Sequence, residues 1–254
     1  MPAGVSIKGS SNGSKSSNHD LKTAFACCSK FLFLTFVKGE SYMLKDWNFW
    51  CSILTALTAV LALCLSVHQI RLSNKQHLFD RRLKAYMLAN GLISLCKENY
   101  MWLSPKRENT PQFANDYVFI WLTNNTYMES QADAIEHPLE QPFHKGFLQK
   151  REELRNTAME IELIFKGKAA LAYSNFLRTY EAALAVMYQY QIIIDKMRKE
   201  NEKHPMTIEE SEKMFSEKKY RDNLYDALVK LRKAYDAVTQ DQVEKQMKKQ
   251  LKLI

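Results

Sequence analysis

The sequence predicts an all-α fold: one N-terminal transmembrane helix continuing into an antiparallel helical bundle. Three observations predict it. Phe49 to Val67 is a run of nineteen residues without a charge. Glycine and proline, at 7 and 6 in 254 residues, are too scarce to punctuate a many-turned β fold. Ala169, Tyr173, Phe176, Tyr180, Ala183, Met187, Tyr190, Ile194 and Met197 follow one another at spacings of four and three with no polar interruption, which is a helix with a continuous apolar seam.

The uncharged run carries the first element. A hydrocarbon core about 30 Å thick takes roughly 20 apolar residues at ~1.5 Å each. Phe49 and Val67 mark the ends of the run, Trp47 and Trp50 stand where an aromatic belt places tryptophan, and His68, Gln69 and Arg71 follow at the other end. The competing reading is a buried core helix, since Ser52, Thr55, Thr58, Cys64 and Ser66 dilute the apolar character. Apolar core stretches usually stop at about 14 residues, and hydroxyls are tolerated in spans because they bond to carbonyls of their own helix.

The net charge of +8 points to a membrane surface once it is divided along the chain. Residues 1–46 carry six Lys/Arg against three Asp/Glu, 71–107 eight against two, and 108–254 twenty-two against twenty-three. The excess therefore flanks the apolar run. There it meets anionic lipid headgroups at about 1 kcal/mol per basic residue. A near-neutral remainder argues against a protein built to track nucleic-acid phosphates. The five cysteines show no metal-ligand spacing, and acylation of the adjacent Cys27 and Cys28 is the only special chemistry they offer.

In chain order, residues 1–42 are expected to be a disordered or start-site extension, with Met43 opening the anchor at 43–70. The Gly, Ser and Asn content of the first twenty residues has no apolar period, and no cleavage site follows the short apolar stretch Ala24–Val37. The anchor is expected to be retained. Arg71, Lys75, Arg81, Arg82 and Lys84 outweigh the basic residues before the run, so the N-terminus is expected outside and the C-terminal bulk in the cytoplasm at the inner leaflet.

Residues 71–104 read as a basic juxtamembrane helix. Leu72, Phe79, Tyr86, Ile93 and Tyr100 recur every seven residues, with Leu83, Met87, Leu92 and Cys96 widening the face. Packing against later helices is the expected cover; a coiled coil with a second copy is the alternative. Arg71, Lys75, Arg81, Arg82 and Lys84 are the candidate contacts for lipid or a partner, and Asp80 and Lys84, four apart, are placed to pair. A sharper reading of Asp80-Arg81-Arg82 is docking of an acidic partner or a nucleotide.

Asn74-Lys75-Gln76 and Leu78-Phe79-Asp80-Arg81-Arg82-Leu83-Lys84-Ala85-Tyr86, lying just after an N-terminal span, resemble a group of uncharacterised bacterial single-pass membrane proteins. Their pattern is a span, a Phe-Asp-(Arg/Lys)-Arg-x-x-x-Tyr helix and a helical cytoplasmic domain. The resemblance covers about residues 43–104 and implies an architecture, not an activity. The extension before Met43 departs from the pattern.

Residues 105–254 are expected to form the bundle. Ser104-Pro105 ends the juxtamembrane helix, and Pro111 suits a new N-terminus. Tyr117–Leu122 fits either a buried strand or a short helix, with helical neighbours favouring the second. Pro138, Pro142 and Gly146 make a loop in which Glu136, His137, Glu140 and His144 lack the helical spacing of a metal site. Leu154, Met159, Ile161 and Phe165 mark a helix, and Gly167 a cap or kink before the long helix from Lys168 to about Asn201. Thr207 and Glu210 form a capping box, and Leu224, Leu228, Leu231, Tyr235 and Val238 line the last helix. Its end, with Lys245, Lys248, Lys249 and Lys252 between Met247, Leu251 and Ile254, reads either as charge complementing the helix dipole or as a second lipid contact.

No catalytic constellation, cofactor motif or metal-ligand set emerges from this pattern. The leading expectation is a membrane-anchored interaction or scaffold protein that binds anionic lipid and either a cytoplasmic partner or another copy. The alternative is a membrane-perturbing defence, exclusion or toxin-type effector that oligomerises through Ala56, Ala59 and Ala62.

Overall fold

The computed structural model describes residues 47–103, 112 and 114–251, and these form helices joined by short turns, with no strand among them. The expectations for residues 1–42, for Met43 and for Pro105 and Pro111 fall outside the described residues. The first helix, α1 (Trp47–Glu98), is 52 residues long and meets neither proline nor glycine before Gly91. Thr55 donates to the Cys51 carbonyl at 2.8 Å, Thr58 to Thr55 at 2.9 Å and Ser66 to Ala62 at 2.8 Å. Each hydroxyl in this set is thus satisfied within its own helix. A 3-10 turn, Tyr100–Leu103, follows α1.

The chain divides into two units between Ile70 and Arg71. In the second unit, α2 (Asn115–Thr123), α3 (Ala132–Glu136), α4 (Phe143–Ile164), α5 (Lys168–Lys203), α6 (Ile208–Phe215), α7 (Glu217–Val238) and α8 (Asp241–Gln250) join the later part of α1. The Tyr117–Leu122 run is helical. Val118, Phe119 and Leu122 are buried on one face, a spacing that a strand would split between two faces.

α5 is the centre of this unit. Every residue of its predicted seam is buried, as are Ala170, Ser174, Leu177, Glu181, Leu184 and Gln191, so several helices cover it, α4 and α7 most extensively. Arg151 reaches Glu181 and Glu162 reaches Ser174; as numbers rise on α4 they fall on α5, so the two helices run antiparallel. The turn between them needs Gly167, whose φ of 83° and ψ of −171° lie in a region reserved for glycine.

Tyrosine hydroxyls on α5 then tie it to its neighbours. Tyr173 donates to Asn90 of α1 at 3.4 Å, Tyr180 to the Leu122 carbonyl of α2, and Tyr190 to the Glu217 carboxylate of α7. Tyr188 accepts the Leu139 N–H at 2.8 Å and meets His144 Nδ1 at 2.9 Å. Burial raises the Tyr180 phenol well above its ordinary pKa, and burial followed by the Glu217 bond does the same at Tyr190, so both remain donors.

The buried stripe on α1 differs from the expected one. Ala85, Tyr86, Ala89, Leu92, Leu95 and Cys96 are buried, whereas Leu83 is 39%, Leu72 47% and Met87 63% exposed. Ala85 and Ala89 take places in the stripe that larger residues were expected to fill, and Tyr86 stacks on Tyr173 with centroids 6.0 Å apart. The last expected helix is three helices, broken at Ser216, which has a φ of 52°, and again at Thr239 and Gln240.

Thr207 and Glu210 form the reciprocal cap at the start of α6, and the bonds from Thr207 hold the Glu210 carboxyl below the ordinary carboxylate range. The cap is complete above the ordinary value of about 4.3 and is lost as pH falls through the lower folded value. Thr207→Ala is expected to return the Glu210 pKa upward, as read by NMR titration. Gly167→Ala meets no atom within 4 Å, so its expected destabilisation of about 1–3 kcal/mol, measured by denaturant unfolding in detergent, comes from the backbone alone.

Candidate membrane anchor and basic neck

The candidate anchor is an apolar helix left uncovered among the described residues. Its most apolar window has none of its residues buried, and it is the one helix long and apolar enough to cross a membrane among the described residues. Trp47 is 80% and Trp50 53% exposed, and Phe49 meets Trp50 edge to face at 6.2 Å. Val67, at the far end of the run, is half-buried. Fully burying one Leu or Ile side chain is worth about 1.5–3 kcal/mol, and Leu54, Leu57, Leu61, Leu63 and Leu65 all forgo most of it.

The five basic residues of the neck separate into two groups. Arg81 and Arg82 turn to the bundle. Arg81 donates to Glu160 at 2.8 Å, although the Arg81 side chain stays 67% exposed. Arg82 donates through Nε to the Ile164 carbonyl at 2.9 Å and through Nη1 to the Gln250 carbonyl at 3.2 Å, with its guanidinium 5.7 Å from the Phe165 ring centroid. It thereby satisfies a carbonyl at the C-terminus of α4 and another at that of α8, where a cation also complements the helix dipole. Arg71, Lys75 and Lys84 are exposed, and no ion pair joins Asp80 to Lys84. These three cations are the part of the neck available to an anionic surface.

The other polar features hold the bundle together. Buried Glu181 accepts from Arg151 at 2.6 Å and from Arg155 at 3.0 Å, a contact that local spacing along the chain does not show. Lys150 pairs with Glu153 at 2.7 Å. In the loop, His137 lies 3.5 Å from Glu140 and stacks on Phe143, while His144 is held by Tyr188; no three ligands converge for a metal among the described residues. A cleft of about 240 Å³ opens where α5, α6 and α7 meet, lined by Met197, Met206, Ile208, Ser211 and Glu217 among others. The buried Ser211 hydroxyl has no hydrogen-bond partner among the described residues. Sequence patterning gave no sign of this cleft, because its walls come from three helices.

The chain was compared with protein-family models, with curated proteins and with solved structures, and it matches none of them.

The two groups of basic residues are separable by mutation. Arg82→Ala is expected to cost about 1.5–3 kcal/mol of unfolding free energy, the value of hydrogen bonds from a charged donor. Lys75→Ala is expected to change it by less than about 0.5 kcal/mol, as at exposed sites generally. Equal losses in chemical denaturation would contradict the division.

Proposed function

We propose that the chain is a membrane-tethered helical interaction module. The apolar segment of α1 crosses the bilayer, the N-terminus faces out, and Arg71, Lys75 and Lys84 hold the neck against anionic headgroups of the inner leaflet. The helical unit stands in the cytoplasm and presents its surface to a protein partner or to another copy. One observation carries this reading: nineteen uncharged residues form a helix whose apolar side chains are left uncovered among the described residues. The placement of positive charge supports the orientation, because five Lys/Arg follow the run within about 20 residues. The resemblance of residues 43–104 to single-pass proteins with a Phe-Asp-Arg-Arg-x-x-x-Tyr helix supports the same topology. The near-neutral bundle supports a protein partner over nucleic acid.

The experiment is fractionation followed by alkaline carbonate extraction. Full-length protein is expected to remain in the pellet. The pair Leu57→Arg and Leu61→Arg, each arginine costing about 2.5–3.5 kcal/mol at the centre of a span, is expected to move most of the protein out of it. Release of the unmodified chain by carbonate would overturn the reading.

A further inference from the structure

We propose that the end of the bundle where α4 turns into α5, together with the C-terminal end of α8, is a second and reversible contact with anionic lipid. The inference rests on the tethered reading above.

Three elements are locked together at this end. The Gln250 side chain donates to the Lys166 carbonyl at 2.9 Å and accepts the Lys166 N–H at 2.7 Å. Arg82 binds the carbonyls of Ile164 and Gln250. α8 is therefore not a free tail: Met247 is fully buried, and the helix delivers its last turn to the side of α1. On the outer surface the α4–α5 turn carries Leu163, 84% exposed, and Leu171, 59% exposed. Lys166 and Lys168 lie between them in the chain, and Lys249 precedes Gln250; all three are exposed, and their ammonium groups have no ion-pair partner among the described residues. Nearby acids are already engaged, Glu162 by Arg178 at 3.0 Å and Ser174 at 2.6 Å, and Glu244 by Lys248 at 2.5 Å.

Exposed leucines beside unpaired lysines have the composition of an interfacial contact: the cations meet headgroup phosphates and the leucines enter the boundary with the acyl chains. Nucleic acid would use the lysines and leave the leucines in water, so lipid is the better match. Arg82 lies eleven residues beyond Arg71 on the same helix, about 16 Å of rise. A patch of three lysines and two leucines has no deeper anchor of its own, which makes the contact reversible. Each lysine at an anionic surface strengthens it about five-fold.

The test is hydrogen exchange of the full chain in nanodiscs of phosphatidylcholine alone or with phosphatidylglycerol. Amides at 162–172 and 241–251 are expected to exchange at least several-fold more slowly in the anionic discs only. This protection is expected to vanish in Lys166→Gln/Lys168→Gln/Lys249→Gln and, separately, in Leu163→Ser/Leu171→Ser, with α7 exchange unchanged as the control for folding. Equal exchange in both discs overturns the proposal. So does protection that appears only with added DNA, or only in discs holding two copies. A chain that enters the discs but shows no lipid-dependent protection fails this inference alone, whereas one that does not enter them fails the tethered reading.

Discussion

Leu54, Leu57, Leu61, Leu63, Leu65 and Ile70 each keep more than half of their surface uncovered, on a helix segment where Thr55, Thr58 and Ser66 donate to their own backbone. A helix in hydrocarbon must satisfy its backbone within itself and can leave apolar side chains outward on every side. A helix in water needs at least one face covered. This asymmetry underlies the proposal of a tether. The proposed tether also gives the remaining charge a place, with the basic neck at headgroup level.

The second unit is arranged about a different element. α5 keeps one side buried from Ala169 to Met197, and polar groups on that side must be passed to its neighbours. Tyr173, Tyr180, Tyr188 and Tyr190 do this by hydrogen bonds to α1, α2, the loop before α4, and α7. Each ring fills core volume and each hydroxyl selects one partner, so the tyrosines specify register where apolar packing alone would tolerate sliding. Glu181 adds the same kind of tie to α4 through Arg151 and Arg155.

What could be read in advance divides along physical lines. The seam of α5 and the Thr207–Glu210 cap were legible, because each is decided by residues within a turn or two of one another, whereas Tyr117–Leu122 fitted strand and helix alike. The face of α1 was legible in part: Tyr86, Leu92 and Cys96 are buried as expected, but Leu83 and Met87, counted as widening the face, are exposed, and Ala85 and Ala89, whose small side chains give a weak hydrophobic signal, are buried instead. Arg82 was legible as a cation near the membrane but not as a ligand for the carbonyls of Ile164 and Gln250, residues about 80 and 170 positions away in sequence. The C-terminal lysines had two readings for the same reason. Only the position of Gln250 against Lys166 shows which elements they accompany.

Orientation and insertion are tested together by proteolysis of intact cells that express the chain with a tag at its C-terminus. With the apolar segment in lipid and the bundle inside, protease added from outside leaves the C-terminal unit whole until the membrane is permeabilised, and then degrades it. Digestion of that unit in sealed cells would contradict the account, and so would recovery of the intact chain in the soluble fraction without detergent.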